Sequence, residues 1–597
     1  MKKLKKTILG AFTLLLSLLL LVTSCTDNSG IKNPNTNPNT NPTPSEQPGV
    51  NSWATGELPT GVTLAESDLS AFDLEFSKKD VNHEIVPLNP TTIVFSVESV
   101  KINNSKASIE KDGAVHIYSE GTYVLSGYSP NARIVVDASQ ADKITLLFNG
   151  LTLHSPGAPA LYVKAADKVT INLVKGTENK LSDGNSYTCT DGTTTLDAAL
   201  FSKDDLAING QGKLTVDGNN KHGIVSKDDL VITGGTINVS AKGAAIEGKD
   251  CVKIGGGVLT LIAGSDAIRA DNATDAHRGF VYIKDATLTT ISDGDGIQAA
   301  NAVIIDGGNL TVTTNGTTDP NTSSKGMKSD SDIVIKGGTV TVSAQEDAIN
   351  SKKSVIIAGG TLALDAIDDA IQADLDVIVR GGRINVNFAN KAIKAQDVVI
   401  AGGTHTLLSD GDGINAVGES TAEISAGNIA VSGGYLYVSA KKDCLDANTS
   451  IYITGGVTLI DGESSDKNVT LNANVALTVS GGVLFATGSS DTVKNVTAAS
   501  NQGVMKVHFD EQTAGTPLVV CDKNGTAIVS FIPTKNYSAA IISAPELQNG
   551  NTYTLYTDGI ITDDANEYGF ATNAPYTNGS DLMAVTFTTN FYKQPKK

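Results

Sequence analysis

The sequence is poor in aromatic residues and in cysteine, and both shortages exclude classes of protein. Aromatic residues make up 5% of the chain, whereas glycine occurs 59 times and Val, Ile and Thr dominate the apolar runs. This composition favours an all-β fold over an α/β fold. Besides Cys25, the cysteines are Cys189, Cys251, Cys444 and Cys521, which are too dispersed for a disulfide framework or a cysteine-based metal site. We expect four small buried side chains, with one disulfide bridge as an open alternative.

Positive charge is also scarce. The chain has 45 Lys and Arg residues against 64 Asp and Glu residues, which gives a formal net charge of −19. Such a surface repels nucleic acid and favours divalent cations or basic partners.

The first 25 residues have the pattern of a bacterial export signal. Four lysines lie within the first six residues, an apolar run extends from Ile8 to Val22, and the segment ends Val-Thr-Ser-Cys25. This ending resembles a lipobox, so residues 1–25 are predicted to be a lipoprotein signal peptide with Cys25 as the lipidated residue. We therefore expect an exported protein anchored in a membrane at the cell surface. An ordinary signal peptide or a transmembrane anchor are the alternatives, and no other stretch is long and apolar enough to span a bilayer.

The segments that flank the regular part of the chain differ from it in pattern. Residues 26–52 contain NPNTNPNTNPTP, a composition that cannot build a core and predicts a linker. Residues 53–105 are irregular and are predicted to cap the first coil, because an open solenoid end would leave strand edges unpaired. Residues 496–597 are predicted to form a β-rich C-terminal region.

Residues 332–416 contain four copies of one pattern. Each copy has a short β-branched run, a glycine pair, an alternating run and a polar turn that ends on Ile. The second glycines of the pairs, Gly338, Gly360, Gly382 and Gly403, are 22, 22 and 21 residues apart. A period near 22 residues without a helical stripe indicates a solenoid of β coils. We predict an all-β fold in which residues 106–495 form a parallel β-helix, with insertions such as DNATDAHRG leaving it as surface loops.

Equivalent residues of successive coils stack directly, at about 4.8 Å per coil. The position two residues before each turn-ending Ile alternates two acids with one lysine. It reads Asp266, Asp295, Lys325, Asp347, Asp369, Lys391, Asp412, Asp443 and Lys467. Stacked carboxylates repel one another and need a cation, and paired carboxylates near backbone carbonyls suit Ca²⁺. We therefore predict calcium at Asp266/Asp295, Asp347/Asp369 and Asp412/Asp443; the alternative is that each Asp caps backbone N–H groups of its own turn.

The residue after each turn-ending Ile points outward and is mostly an amide or a cation. Together with the lysines of the acidic column, this row suggests binding of a linear polysaccharide, above all a polyuronate. The predicted contacts are Arg269, Gln298, Lys325, Lys328, Gln372, Lys391 and Lys394, with Tyr435 and Tyr437 as outward rings that could stack on sugars. The alternative is a polar face that serves solubility.

One outward column is apolar instead. In the strand before the glycine pair it reads Ile304, Val334, Ile356, Ile378 and Val399. An apolar ridge of this length should be covered, so we predict that a terminal segment of this chain or a second protein packs on it.

The motifs FSKDDLAINGQGKLTV, HGIVSKDDLVITGGTINV and DDAIQADLDVIVRGGRINV resemble the bacterial carbohydrate-binding domain family. Its members are calcium-containing right-handed parallel β-helices, similar in fold to family 9 pectate lyases. The resemblance covers about residues 100–490 and implies a right-handed helix that binds cellulose-like or pectin-like polysaccharide.

Three function classes stay open: a polysaccharide-binding lipoprotein, a calcium-dependent pectate-lyase-like enzyme, and a β-helical adhesin. The lyases of this fold use a Lys or Arg base, a role that Lys325 or Lys391 could fill. A catalytic base should be singular rather than repeated, and acidic neighbours raise the pKa of a lysine. The sequence therefore favours binding without catalysis.

Overall fold

A computed structural model describes residues 56–59, 62, 67–81, 88–192, 194–316, 322–418, 426–463, 468–489, 502–561, 565–566 and 568–594. The predicted signal peptide with Cys25, the linker 26–52 and Lys467 lie outside the described residues. Leu471 pairs with Leu445. Val469 and not Lys467 therefore follows Asp443 in the acidic column, and the prediction of a third lysine there is wrong. The chain divides into the units Met1–Pro48 and Gly49–Lys597, and the structure described below belongs to the second. Within the described residues, no helix has the length and apolar character needed to cross a membrane.

The predicted all-β fold is confirmed, because each repeat contributes one strand to each of three parallel rows. The first row precedes the glycine pair, the second follows it, and the third follows the polar turn. Strands of successive coils pair in parallel, as Ile356 with Ile378 and Val340 with Leu362 show. The molecule is therefore a parallel β-helix. That the helix is right-handed remains an expectation from the family resemblance.

The first row consists of Lys168–Leu173, Asp205–Gly210, Asp229–Ile232, Cys251–Ile254, Phe280–Ile283, Ala302–Ile305, Asp332–Ile335, Val355–Ile357, Asp376–Val379, Asp397–Ile400, Ile429–Val431, Ser450–Ile453 and Ala476–Val479. The second row consists of Glu178–Asp183, Lys213–Gly218, Thr236–Ala241, Val258–Ala263, Thr287–Ser292, Asn309–Thr314, Thr339–Ala344, Thr361–Ala366, Arg383–Phe388, Thr404–Ser409, Tyr435–Ala440, Val457–Asp461 and Val483–Gly488. The third row consists of Val115–Ile117, Ile134–Asp137, Leu161–Ala165, Ala198–Ser202, His222–Ser226, Ile246–Gly248, Ile268–Ala270, Ile297–Ala299, Met327–Ser329, Ile349–Ser351, Asp369–Ala373, Lys391–Ala395, Ile414–Ala416, Leu445–Ala447 and Leu471–Ala473.

The core is the inside of this tube. The turn-ending isoleucines, such as Ile349 and Ile371, are fully buried and stack with the inward residues of the other two rows. The glycine pairs are required by the backbone: Gly338 has φ +88°, and a Cβ there would lie 2.8 Å from the carbonyl oxygen of Gly308. Only glycine adopts that conformation without strain.

The N-terminal end is built from shorter strands and one antiparallel pairing. Thr91–Phe95 pairs with Val100–Ile102 in antiparallel and with Gly121–Ser129 in parallel orientation. The long strand Lys143–Ser155 then joins the first and second rows. Ala107–Ile109 adds an antiparallel strand to the third row.

The segment 67–81, the N-terminal strap, lies along the first row rather than over the first coil. It contains the 3₁₀ turn Leu69–Ala71 and the helical turn Lys78–Val81. Leu69 packs on Val334, Ile356 and Ile378. Further along, Phe72 and Phe76 pack on the aromatic residues of Phe280–Ile283, and Lys168 Nζ lies 2.7 Å from Asp80 Oδ1. The apolar ridge is thus covered by the chain itself, one of the two covers that the sequence predicts.

The C-terminal region is a β-structure packed against the last coils. Six antiparallel strands form one sheet: Leu518–Cys521, Thr526–Phe531, Thr552–Thr557, Ile560–Ile561, Ala571–Thr577 and Ser580–Thr586. Val504–Gln512 and Phe591–Lys593 pair beside Tyr537–Ser543, which itself adds to the last second-row strand, Val483–Gly488. The C-terminal region is therefore joined to the last coil of the β-helix by backbone hydrogen bonds between strands.

The four described cysteines are all free thiols, so the alternative of a disulfide among them is not found. Cys251, Cys444 and Cys521 are buried, as predicted, and Cys189 is half-buried.

Candidate functional site

The candidate site follows the third row and the turn before it. The outward residues of that row pair directly from coil to coil, as Gln298 with Lys328 and Gln372 with Lys394 show. The acidic column lies at the start of the same strands. We call the two columns together the acidic edge. Its register is a direct consequence of the parallel pairing, since a one-residue shift would turn every side chain to the other face.

One carboxylate oxygen in each predicted pair accepts a backbone N–H from the next coil. Asp347 Oδ1 accepts from the nitrogen of Asp369 at 3.1 Å, and Asp266 Oδ1 accepts from the nitrogen of Asp295 at 2.9 Å. The same contact joins Asp412 Oδ1 to the nitrogen of Asp443 at 3.3 Å. The alternative that each Asp caps its own turn is therefore not what these contacts show, because the N–H group that each Asp caps belongs to the next coil. The remaining carboxylate oxygens decide whether a cation can bind.

In the first pair those oxygens already have partners. Asp295 Oδ1 accepts hydrogen bonds from Ser323 Oγ at 2.7 Å and from the Lys325 nitrogen at 2.8 Å. Asp295 Oδ2 lies 3.1 Å from Lys328 Nζ, and Asp266 lies 3.7 Å from Arg269. Side-chain cations of the chain itself neutralise this pair.

The third pair is occupied in a similar way. Asp443 Oδ1 accepts from the Val469 nitrogen at 2.6 Å, and Asp443 Oδ2 accepts from Asn472 Nδ2 at 3.1 Å. Among the residues that the structure describes, neither the first nor the third pair has a third acid within metal-binding distance. We retain the calcium hypothesis for the middle pair only.

The middle pair forms a cluster of three acids. Asp347, Asp368 and Asp369 each offer an oxygen, and these oxygens lie within 4.8 Å of one another. Asp347 and Asp369 are 2% and 1% exposed, and Asp369 Oδ1 has no hydrogen-bond partner in the described part of the chain. Burial raises the pKa of Asp369 to about 6; Lys391 opposes this, and the charges of Asp368 and Asp347 add to it. Both oxygens of Asp347 already accept hydrogen bonds. Oδ1 accepts from the Asp369 nitrogen, and Oδ2 accepts from Asn350 Nδ2 and Lys325 Nζ. The unpartnered, buried Asp369 Oδ1 beside Asp368 is the feature of the middle pair that fits a hard divalent cation.

Four of the five predicted cationic contacts, Arg269, Lys325, Lys328 and Lys394, are partly exposed and ion-paired. Lys325 Nζ lies 2.7 Å from Glu346 Oε2 and 3.0 Å from Asp347 Oδ2. Burial alone would lower the pKa of Lys325, but these two carboxylates outweigh burial and raise it. Lys394 Nζ lies 3.7 Å from Asp369 Oδ2. Gln298, Gln372 and Lys391 are also half-exposed, so the edge presents a row of polar groups to a ligand.

Sequence reasoning missed Glu247, which lies one coil before Arg269 in the outward column. Glu247 is 2% exposed, bonds to Arg269 and lies 2.8 Å from Lys227 Nζ. Burial would raise the pKa of Glu247, but Arg269 and Lys227 together lower it to about 2. Arg269 is therefore held by the protein at the end of the row.

A second acidic cluster was also missed. Asp205, Asp228 and Asp229 each offer a carboxylate oxygen, and these oxygens lie within 4.8 Å of one another, as in the cluster around Asp369. Burial raises the pKa of both Asp205 and Asp228 to about 6. Arg278, from an insertion loop, lies 3.2 Å from Asp228. The repeated SKDDL motif carries these acids in the sequence.

The prediction that Tyr435 and Tyr437 stack on sugars along an open face is wrong. They are 4% and 2% exposed because the C-terminal region covers them. The ring of Tyr437 stacks on Tyr568 with centroids 3.7 Å apart and an angle of 9°. These rings point out of the helix, as predicted, but into a protein interface.

Comparison with known proteins gives three findings. A model of the family described as "Carbohydrate-binding domain-containing protein" matches residues 111–370 and 362–512. A protein of the same description from Acetivibrio thermocellus is 32% identical over 225 residues, which cover 38% of this chain and 79% of that protein. A solved structure of "the polysaccharide lyase-like protein from C. thermocellum, Gadolinium derivative" is 30% identical and covers 43% of this chain and 97% of that chain, with a TM-score of 0.38.

Proposed function

This chain belongs to the family of carbohydrate-binding domain-containing proteins, and we propose that it binds a polysaccharide along the acidic edge without cleaving it. The observation that carries the proposal is the straight row of amides and cations, paired from coil to coil between Arg269 and Lys394. Its members are partly exposed except Asn350, which is buried. A repeating polymer can make the same contact on successive coils. Each contact is weak, but linked contacts strengthen one another through their high effective concentration.

We further propose that Asp347, Asp368 and Asp369 hold Ca²⁺. The support is the oxygen-only donor set and the unpartnered, buried Asp369 Oδ1. A bound calcium would supply positive charge at the middle of the edge, close to Lys394. Together these cations favour a polymer with carboxylates, such as a polyuronate, while the glutamines suit the hydroxyls of a cellulose-like chain.

Lyase activity is the second candidate, and the state of Lys325 argues against it. A general base must be partly neutral near the working pH. The pKa of Lys325 is raised by Glu346 and Asp347, so this lysine stays protonated. The adhesin alternative loses the observation that favoured it, since the N-terminal strap covers the apolar ridge.

The place of the protein in the cell remains part of the proposal. We expect export and lipidation at Cys25, with the β-helix held at the cell surface by a membrane anchor. Labelling with a radioactive fatty acid should mark the wild-type protein and leave a Cys25→Ser variant unmarked. Equal labelling of both would contradict the anchor.

The experiment for binding is retention on insoluble polygalacturonate and on cellulose, with calcium or with EGTA. We expect retention that falls when Lys328 or Gln372 is changed to alanine and that is unchanged in Lys180→Ala. Lys180 is a suitable control because it pairs with Asp217 on the second row, away from the edge. The proposal would be contradicted if the protein were retained on neither polygalacturonate nor cellulose, both with calcium and with EGTA. The ultraviolet absorbance of unsaturated uronate products in the same samples reports any cleavage.

A further inference from the structure

A cleft of about 380 Å³ lies where second-row strands meet the C-terminal region. This volume falls within the range of small-molecule sites, roughly 300–1,000 Å³. Its apolar lining comes from Phe388 and Leu408 on the β-helix and from Tyr568 on the C-terminal region. Neither part of the chain forms the cleft alone.

The exposure of Phe388 results from a break in the strand register. Alternation after the buried residues Ile384 and Val386 would turn Phe388 inward. The pairing with the preceding coil shifts after Leu364, so that Phe388 lies opposite Asp365. Phe388 consequently stays half-exposed at the cleft. Bulges of this kind re-aim side chains and are frequent beside functional sites.

The next strand adds a second apolar side chain and several polar ones. Leu408 is 36% exposed, and Asp410 lies 2.6 Å from Lys441 Nζ at the cleft wall. Apolar faces beside a carboxylate and an ammonium match the two sides of a sugar ring, which has an apolar C–H face and a rim of hydroxyls.

The cleft adjoins the acidic edge through two turns. Asp410 lies two residues before Asp412, and Phe388 lies three residues before Lys391. A glycan on the edge can therefore reach the cleft without leaving the surface of these coils.

We propose that this cleft is a second carbohydrate site, which binds one or two sugar rings of an oligosaccharide or of a chain end. Phe388, Leu408 and Tyr568 contact the apolar ring face, and Asp410 and Lys441 bind the hydroxyls. The proposal rests on the proposed function, because it takes the ligand class from it. It differs in that a short neutral oligosaccharide should bind here without calcium.

Cellohexaose binding to the mature protein in EGTA tests the proposal, measured by titration calorimetry and by saturation transfer to the sugar C–H protons. We expect Phe388→Ala to weaken binding roughly tenfold, as loss of an aromatic contact should. Leu408→Asp should do the same and leaves folding intact, since the side chain is already partly exposed. Tyr128→Ala and Leu375→Asp are matched controls, because these residues are 50% and 42% exposed and lie outside the cleft. Both should bind as the wild type does.

Two results would overturn the cleft site alone. One is wild-type affinity for cellohexaose in both cleft variants, and the other is a wild-type protein that is retained on polymer but does not bind cellohexaose. Loss of retention in Lys328→Ala with unchanged cellohexaose binding would support both sites as separate. If the wild type binds neither polymer nor cellohexaose, the proposed function fails and the cleft site with it.

Discussion

Replacing Asp369 with asparagine should remove a pH-dependent cost from the folded protein together with its response to calcium. Asp369 is 1% exposed, and one of its oxygens has no hydrogen-bond partner within the described residues. Burial is the largest of the effects that raise its pKa from 3.8 to about 6. A shift of about two units corresponds to about 3 kcal/mol. This is the free energy by which the ionised carboxylate lowers stability at pH 7 in the absence of a cation.

The sign follows from proton binding. The folded carboxyl holds its proton more tightly than the unfolded one, so its contribution to the free energy of unfolding is greatest below about pH 4. That contribution falls as the pH rises from about 4 to about 6 and then stays low. The asparagine variant lacks this decline. The other carboxyls with raised pKa values are present in both proteins and cancel in the comparison.

Calcium should reverse the cost in the wild type only. A ligand that binds only the folded state adds about 2.7 kcal/mol to the free energy of unfolding when its free concentration is about a hundred times its Kd. At pH 5 the proton on Asp369 competes with calcium, and the gain should be smaller than at pH 7. Asp369→Asn should show little gain at either pH.

The assay is urea unfolding of both proteins at pH 5 and pH 7, with calcium or EGTA. Asp412→Asn is the matched control, because Asp412 occupies the same column and accepts from the Asp443 nitrogen but, among the described residues, belongs to no cluster of three acids within metal-binding distance. Its amide oxygen can still accept from the Asp443 nitrogen, so this variant should keep the calcium gain of the wild type. A calcium gain in Asp369→Asn equal to that of the wild type would refute the assignment of this cluster.

Three further outcomes follow from the packing. Tyr437→Ala should lower the free energy of unfolding by about 3–5 kcal/mol in thermal or urea unfolding, because the ring is buried between the helix and the C-terminal region; an effect below about 1 kcal/mol would contradict that interface. Leu69→Asp should raise the binding of a hydrophobic dye and lower the Tm by releasing the strap from Ile356 and Ile378, whereas Val97→Asp, at a site 64% exposed, should do neither. Gly338→Ala should cost about 1–3 kcal/mol from the left-handed backbone alone, and unchanged stability would show that the coil can relax there.

Much of the fold follows from the sequence because stacking makes the period visible. The glycines at positive φ, the isoleucine ladder and the apolar ridge all repeat with the coil. The environments of Gly338, Ile349 and Ile356 can therefore be predicted from their positions in the repeat. The burial of Tyr435 and Tyr437 cannot be predicted in this way, because it depends on residues such as Tyr568 and Phe531, which lie more than 90 residues away in the sequence.

The candidate site divides in the same way. The acidic column was predictable, since its spacing fixes its stacking. Which carboxylate oxygens stay available was not, because Ser323 and Asn472 come from separate loops and coils whose side chains reach Asp295 and Asp443. The bulge at Phe388 lies in the 21-residue interval between Gly382 and Gly403, but a shorter interval does not show which side chain turns outward.

The central claim is that the acidic edge binds polysaccharide, and affinity electrophoresis through a gel with embedded polygalacturonate and calcium tests it most directly. The wild type and Lys180→Ala should be retarded equally, whereas a Lys328→Ala, Gln372→Ala, Lys394→Ala variant should migrate as it does without polymer. Equal retardation of all three proteins would place binding elsewhere and contradict the account.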